Sequence, residues 1–426
     1  MRVQQVVCLL LLGCALCSSL SLKPDITRRK WCKDGLLFGS ALAAAFARVA
    51  PSTADSLMQE ASQSPYLMKE YFDPPVTAPW AGRLAFPALT PPFRRRATYR
   101  YNLGRNAWAL EQLLSFANVT ATIRSNVILL ESGGLWVHSP QYPTGELCQL
   151  LDDLGHPVEH AVLPCNALEH KAPVKSFLKR YPEAAVWISP GQYGPLGSCG
   201  TSIKDELKMG YRVDGIFGEC SPPWADEFDV ATLYVDIPKN AGPVSEVAFC
   251  HRPTQTLVAT DAVVFVPGGP RAPDIFSTYF DEETVDNPTF WPKSVLQAVF
   301  LPLRTDKDGA YPGFEAIQNR LIRAPILRAF ADARAPNEVK QWILKIGQWK
   351  FDRIVTSHFA SPIAATPKQF CEAYAYLFDE GEGVQLDHLP PVACQDWELL
   401  ESLNKVIAEN ELGAPTVFDY KRQCDI

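Results

Sequence analysis

Hydrophobic and polar positions fall into a regular pattern from about residue 120 onwards. An apolar run at residues 122–130, the turn residues Ser132-Gly133-Gly134 and a second apolar run at residues 135–137 predict a β-hairpin. A helix is predicted to open at Pro143 and to end near Leu154. This stretch therefore predicts two paired strands followed by a helix.

The alternation of strand and helix patterns continues to about residue 380. Further strands are predicted at residues 159–163, 185–188, 247–250, 256–266 and 353–356, and helices at residues 171–181, 294–300, 316–330, 337–349 and from 368 onwards. Strands that alternate with helices of this length are typical of an α/β fold. We therefore assign residues 121–380 to one α/β domain.

Three segments flank this domain. Residues 1–54 form a targeting region, residues 55–120 form a leader rich in proline and aromatic residues that wraps the core, and residues 381–426 form a C-terminal tail. One helix is predicted in the leader, at residues 108–116, and one in the tail, at residues 396–410.

The targeting region carries two successive export signals. An apolar run at residues 6–17 is too short to span a bilayer and is followed by small residues, as in a secretory signal peptide. The pair Arg28-Arg29 precedes a second apolar run at residues 36–47 and resembles a twin-arginine signal. Two signals in series favour a plastid (chloroplast), and within it the thylakoid lumen. The alternatives are a chance arginine pair before a short membrane anchor, and a secreted or endomembrane protein.

Composition and charge narrow the classes of partner. The chain has 426 residues, of which 47% are hydrophobic and 20% charged, so it can bury a substantial core. Its formal net charge is −7 and its basic residues are dispersed, which argues against a nucleic-acid-binding surface. The expected partner is a small-molecule substrate or a plastid protein, and no stable membrane span is expected after processing. The oligomeric state stays open.

Three polar residues stand at or just beyond the ends of predicted strands: His170, Asp261 and His358. Ligands of open α/β sheets collect beyond the carboxyl ends of strands, so these side chains are expected to meet. Two imidazoles and a carboxylate suit zinc, manganese or iron. His251, at the end of its own strand, is a fourth candidate ligand.

Each of these residues also has a structural interpretation. A histidine after a strand is often a hydrogen-bonded loop residue, and an aspartate there often forms a turn or caps a helix. The sequence therefore predicts either one divalent ion (zinc, manganese or iron) or none. Asp226 and Glu227, which follow a Pro-Pro-Trp sequence, are further acidic residues that could reach the same place.

Five stretches of the chain together resemble one known family. They are IRSNVILLESGGLWVHSPQYPTGEL, HAVLPCNALEHK, YPEAAVWISPGQ, EVAFCHRPTQTLVATDAV and RIVTSHF, which occur in this order within about residues 95–378. The family is a plant, algal and cyanobacterial domain of unknown function (domain of unknown function 4336), and it resembles a diverged metallo-β-lactamase-like hydrolase. The resemblance implies an αβ/βα four-layer sandwich with a metal site at one edge of its two sheets.

The resemblance also implies roles for single residues. His170 matches the last histidine of the superfamily's His-x-His-x-Asp-His motif, Asp261 matches the aspartate that bridges two metals, and His358 matches the terminal histidine. His251 is the nearest candidate for the superfamily's middle histidine.

The chain departs from that motif at three positions. Cys165 and Ala167 stand where the motif has its first two histidines, and Glu169 stands where it has its aspartate. The usual two-metal site is therefore not expected, whereas Cys165 and Glu169 could bind a single ion in an altered arrangement.

Three functions follow from these observations. The first is a mononuclear metal-dependent hydrolase of a small ester, thioester or lactone, with Glu169 as general base. The second is a catalytically inactive scaffold or binding protein of the plastid, in which bulky side chains such as Trp136 or Trp187 fill the pocket. The third is redox sensing through Cys165.

Overall fold

The computed structural model describes residues 68–71, 96–116, 119–192, 210–235, 237, 243–379, 382, 394–409 and 415–419. The predicted targeting region, most of the leader and about half of the tail lie outside these residues. Among the described helices, none combines the length and the hydropathy that crossing a bilayer requires.

The larger sheet has eight described strands, which are spatial neighbours in the order in which they occur along the chain. They are Met68–Tyr71 (β1), Tyr99–Gly104 (β2), Ala107–Phe116 (β3), Val119–Leu129 (β4), Leu135–His138 (β5), Val158–Leu163 (β6), Ala185–Ile188 (β7) and Gly215–Ile216 (β8). Pairing is antiparallel from β1 to β5 and parallel from β5 to β8. The predicted hairpin is confirmed as β4 and β5, and its turn uses Gly133 at a φ of 87°.

The smaller sheet is built from the second half of the chain. The remaining described strands are Phe228–Val235 (β9), Val244–His251 (β10), Thr256–Val258 (β11), Val264–Phe265 (β12), Leu321–Ile322 (β13), Arg353–Val355 (β14) and Ile363–Ala364 (β15). Five of them form a sheet in the order β15-β14-β11-β10-β9, and β12 pairs with β13. β11 and β14 are parallel, whereas β10 is antiparallel to β11. The carboxyl ends of β11 and β14 therefore share one edge, and that of β10 lies at the opposite edge.

Helices cover the outer faces of both sheets. They are Gly145–Asp152 (α1), Leu168–Lys171 (α2), Val174–Arg180 (α3), Glu282–Asp286 (α4), Phe290–Val299 (α5), Pro312–Ile317 (α6), Pro325–Leu327 (α7), Pro336–Ile346 (α8), Pro367–Glu372 (α9) and Glu398–Glu409 (α10). Apolar side chains of α1 and α3 pack against the larger sheet, and those of α8 pack against the smaller one. The Trp342 indole of α8 donates a 3.0 Å hydrogen bond to the Ala231 carbonyl oxygen of β9.

The inner faces of the two sheets pack against each other. Side chains along a strand alternate between faces, and the inward residues of both sheets form one apolar cluster that includes Trp136, Trp187, Phe249 and Val258. The Trp136 and Phe249 rings meet edge to face, with their centroids 5.1 Å apart. Helix, sheet, sheet and helix thus form four layers, which confirms the predicted αβ/βα sandwich.

Three predicted helices differ from the structure. Residues 108–116 form strand β3 because Gly104, Arg105 and Asn106, all at positive φ, make a tight turn that pairs this segment with β2. The predicted helix at 171–181 is divided into α2 and α3 beside Pro173. The predicted helix at 316–330 is interrupted by β13, and the chain turns helical again only at Pro325.

The predicted helix of the tail is confirmed as α10. Its buried residues Leu400, Leu403 and Ile407 join the apolar core beneath the smaller sheet. The Arg328 guanidinium lies 4.9 Å from the ring centroid of Trp397, just before α10. This part of the tail is therefore packed onto the domain.

Candidate metal centre

Three loops meet at one edge of the sandwich. α2, which carries His170, follows β6 of the larger sheet after the short segment 164–167. Asp261 follows β11 and His358 follows β14 of the smaller sheet. Because β11 and β14 run parallel, their following loops leave the sheet at the same edge. The fold therefore brings these three residues to the same edge, as expected from the sequence.

The donor atoms of four side chains converge there. His358 Nε2 lies 3.3 Å from His170 Nε2 and 3.4 Å from Asp261 Oδ1. His170 Nε2 lies 3.6 Å from Asp261 Oδ2. A Glu169 carboxylate oxygen completes the group, and one donor atom from each of the four residues lies within 4.8 Å of the others. We call these four residues the donor cluster.

In each histidine, Nε2 faces the donor cluster and Nδ1 contacts a neighbouring oxygen atom that fixes the orientation of the ring. His358 Nδ1 lies 2.6 Å from the carbonyl oxygen of Thr122, and because a carbonyl only accepts, Nδ1 carries the proton and Nε2 offers a lone pair. His170 Nδ1 lies 2.6 Å from Ser139 Oγ. Such contacts orient imidazoles that bind metals. Both histidines therefore present Nε2 to the same point.

Sequence reasoning missed both orienting groups. Ser139 directly follows β5, so a serine at the end of a predicted strand was the available sequence signal, whereas its φ of 53° is seen only in the structure. Thr122 acts on His358 through its backbone carbonyl, which any residue would supply, and its side chain hydroxyl accepts from the Phe359 amide at 2.9 Å. No sequence signal identifies the carbonyl contact.

The charged groups of the donor cluster shift one another's pKa values. Burial would raise the pKa of Asp261, but the close contact with His170 and the proximity of His358 lower it to about 2. Burial lowers the pKa of His170, yet the Asp261 carboxylate outweighs it, so the pKa of His170 is raised. Burial lowers the pKa of His358, and Asp261 only partly opposes this. The cluster thus holds an ionised carboxylate against two imidazoles.

The residues of the donor cluster fit a divalent metal ion. Nitrogen and oxygen ligands lie about 2.1 Å from zinc, so neighbouring ligands of a tetrahedral ion lie about 3.4 Å apart. The Nε2 to Nε2 distance of 3.3 Å and the Nε2 to carboxylate distances of 3.4 and 3.6 Å agree with this spacing. Two imidazoles and two carboxylates are also a donor set that zinc, manganese and iron accept.

The prediction that His251 joins the site is wrong. β10 is antiparallel to β11, so its carboxyl end places His251 at the opposite edge of the sheet. His251 Nδ1 lies 2.9 Å from Thr254 Oγ1, and Nε2 lies 3.5 Å from Glu227 Oε2. Glu227 also accepts from the Glu131 amide at 3.1 Å, so the suggestion that Asp226 and Glu227 reach the site is wrong as well.

Cys165 is close to the donor cluster, but its thiol is buried. Only 3% of its surface is exposed, and it bridges to Glu246 of β10 through the backbone. Burial, together with the charges of Asp261 and Glu246, raises the pKa of the Cys165 thiol well above its ordinary value. A buried thiol that stays protonated is a poor nucleophile, which disfavours redox sensing at this residue.

His251→Gln should make the folded protein less sensitive to acid. Burial, and then the charge of Arg353, lower the pKa of His251 to about 4. Below pH ~6.5 His251 is protonated in the unfolded chain but stays neutral in the folded chain. The free energy of unfolding therefore falls as the pH drops from about 6.5 to 4. Over this pH range, the free energy of unfolding of the variant should fall by about 1–2 kcal/mol less than that of the parent, after allowance for solvent screening.

Urea unfolding at pH 4.5, 5.5 and 7.0 measures this difference. His156→Gln provides the control, because His156 is exposed. An unchanged pH dependence in His251→Gln would contradict the assignment of acid sensitivity to His251.

Comparisons with known proteins can be set beside this geometry. The sequence matches one family model, described as "Domain of unknown function (DUF4336)", over residues 105–287 and 276–376. No curated protein matches it. The structure is similar to the metallo-beta-lactamase from Pontibacter korlensis, with 10% identity, 66% of this chain and 98% of that chain covered, and a TM-score of 0.33. It is also similar to the metal soaked Flv1 flavodiiron core from Synechocystis sp. PCC6803, with 9% identity and a TM-score of 0.38. This similarity covers 66% of this chain and 61% of that chain.

Proposed function

We propose that this chain, which belongs to the DUF4336 family, binds one divalent metal ion in the donor cluster and hydrolyses a small ester, thioester or lactone. The observation that carries the proposal is the convergence of Glu169, His170, Asp261 and His358 at metal-ligand spacing. Zinc, manganese and iron all suit these donors.

The chain's own residues provide a preformed site whose negative charge would balance that of a divalent ion. Two carboxylates would balance the charge of a divalent ion, and the two imidazoles, oriented through Ser139 and Thr122, would bind it as neutral ligands. When bound, such an ion polarises a carbonyl oxygen and makes a nearby water more acidic.

The two carboxylates are the more exposed members of the donor cluster. His170 is fully buried, whereas 21% of the Asp261 side chain is exposed and Glu169 is half-buried. A substrate would therefore approach from the side of the two carboxylates, and a small carbonyl compound suits that approach. Glu169 would act either as the fourth ligand or as the general base for an attacking water, and these two roles differ in what its substitution changes.

A metal titration followed by an activity screen tests the proposal. The purified full-length chain is stripped with a chelator and titrated with zinc, manganese or iron(II) against a chromogenic chelator, and then offered small esters, thioesters and lactones. We expect one binding site and hydrolysis that requires the added metal. Glu169→Gln separates the two roles of Glu169: retained metal with lost hydrolysis identifies a base, and lost metal identifies a ligand.

A metal-free scaffold is the second candidate function. The 3.3 Å contact between His170 Nε2 and His358 Nε2 favours it, since one protonated imidazole can donate to the other and leave the cluster satisfied by its own hydrogen bonds. Trp136 and Trp187, which this hypothesis assigned to the pocket, are buried in the apolar cluster between the two sheets. Absence of metal uptake in the same titration, with the chain folded, would favour the scaffold over the hydrolase.

The predicted plastid address is part of the proposal. It is supported by the two signal-like segments within residues 1–54 and by the pair Arg28-Arg29. Residues 1–54 fused to a fluorescent protein should enter the plastid in an algal cell, and replacement of Arg28-Arg29 with two lysines should block the second step into the lumen. Secretion of the fusion would favour the endomembrane alternative.

A further inference from the structure

The side chain of Glu246 accepts hydrogen bonds from the loop that carries Asp261. Glu246 is a buried residue near the start of β10. Its Oε1 atom accepts from the backbone amides of Thr260, Asp261 and Ala262 at 3.1, 2.8 and 2.8 Å, and from Thr260 Oγ1 at 2.9 Å. One carboxylate oxygen thus accepts hydrogen bonds from three successive amides and a hydroxyl. Successive amides that point at one anion form a nest, which fixes the backbone of the loop.

The carbonyl side of the same loop is held by a second charged residue. Arg323 Nη1 donates to the carbonyl oxygens of Asp261 and Ala262 at 3.0 and 3.3 Å. The Tyr374 hydroxyl also donates to the Ala262 carbonyl oxygen. Both the amides and the carbonyls around Asp261 are therefore bound by buried side chains, and the loop has little freedom to move the Asp261 carboxylate.

The start of β10 also anchors the segment that leads to His170. The Val247 amide donates to the Pro164 carbonyl oxygen at 2.8 Å, and the Ser245 amide donates to Asn166 Oδ1 at 3.2 Å. Cys165 and Glu246 form an antiparallel bridge between these segments. The backbone of residues 245–247 thus fixes the approach to His170, while the Glu246 side chain fixes the Asp261 loop.

We propose that Glu246 is a positioning residue, which sets the orientation of the Asp261 carboxylate relative to His170 for metal binding. The inference rests on the proposed metal-binding function. Glu246 is not a member of the donor cluster, and it acts through the backbone amides of the loop. A carboxylate suits this role better than an amide because it has no donor of its own and accepts most strongly from several N–H groups at once.

Glu246→Gln in the full-length chain tests the role of Glu246, with Glu227→Gln as the matched control. Glu227 is also a buried glutamate that accepts from a backbone amide, but it lies at the opposite edge of the sheet. Zinc affinity is measured by competition with a chromogenic chelator, and cobalt(II) is used as a spectroscopic probe of ligand geometry. We expect Glu246→Gln to bind zinc about 10-fold more weakly or worse and to shift the cobalt(II) absorption spectrum. Glu227→Gln should keep the parent's zinc affinity and spectrum.

The outcomes separate the two proposals. Zinc binding by the parent, with unchanged affinity and spectrum in Glu246→Gln, would overturn the positioning role alone. No zinc binding by the parent would overturn both. If Glu246→Gln does not fold, Thr260→Val removes one of the four donors to Glu246 and should weaken zinc binding about threefold. Parent-like affinity in that variant would likewise overturn the positioning role.

Discussion

Replacing His170 with alanine is expected to weaken metal binding by the chain by about 100-fold or more. His170 Nε2 is one of two imidazole donors, and its removal leaves Asp261 and His358 of the smaller sheet with Glu169 as the remaining donor of the cluster from α2. The affinity for zinc should fall by on the order of 100-fold or more, since even residues that only orient ligands cost 10- to 100-fold. Asp261→Ala should have the same effect.

Elemental analysis and thermal unfolding measure this loss. The parent should carry about one equivalent of metal, and zinc at one hundred times its Kd should stabilise it by about 2.7 kcal/mol. Neither effect should occur in His170→Ala. His251→Ala is the matched control because it removes a buried histidine from the opposite sheet edge. Metal retained in His170→Ala, or lost in His251→Ala, would contradict the assigned site.

Replacing Asp332 with asparagine is expected to destabilise the protein by about 3–5 kcal/mol. Asp332 and Arg323 are fully buried and form two hydrogen bonds of 2.9 and 3.0 Å. The Tyr376 hydroxyl also donates to Asp332 at 2.6 Å. Without the carboxylate, the Arg323 charge would remain buried and uncompensated, which costs far more than the pair contributes when intact.

Asp352→Asn serves as the control for Asp332→Asn. It breaks the pair between Arg105 and Asp352, whose side chains are 42% and 49% exposed, so it should cost about 0–1 kcal/mol. The free energy of unfolding in urea at pH 7 gives both values. A similar small cost for Asp332→Asn would show that solvent or another group compensates Arg323. Because Arg323 also binds the Asp261 loop, Asp332→Asn should in addition weaken zinc binding.

The parts of the site that the sequence predicted share a simple physical rule. His170, Asp261 and His358 follow strands whose carboxyl ends share one edge, and strand ends can be read from runs of apolar residues. Parallel pairing of β11 with β14 then brings two of them together. The layer arrangement came from the family resemblance, because periodicity alone does not specify it.

The parts that the sequence did not predict depend on strand direction or on contacts across the fold. His251 also ends a strand, but β10 runs antiparallel to its neighbours and carries it away from the site. Glu246 is an acidic residue within an apolar strand, a visible anomaly, yet its partners at 260–262 are known only from the fold. Residues 108–116 have a pattern compatible with a helix, and pairing with β2 and β4 decides that they form a strand.

The wide sequence separation of the donors has a consequence for protein synthesis. His170 and His358 are 188 residues apart, and they reach the donor cluster from different sheets. At about 5–20 residues per second, roughly 10–40 s pass on the ribosome between the two residues. The nascent chain can complete the cluster only after β14 has left the ribosome. Metal uptake would therefore mark a late stage of folding, and a chain that stops before β14 would lack the complete donor set.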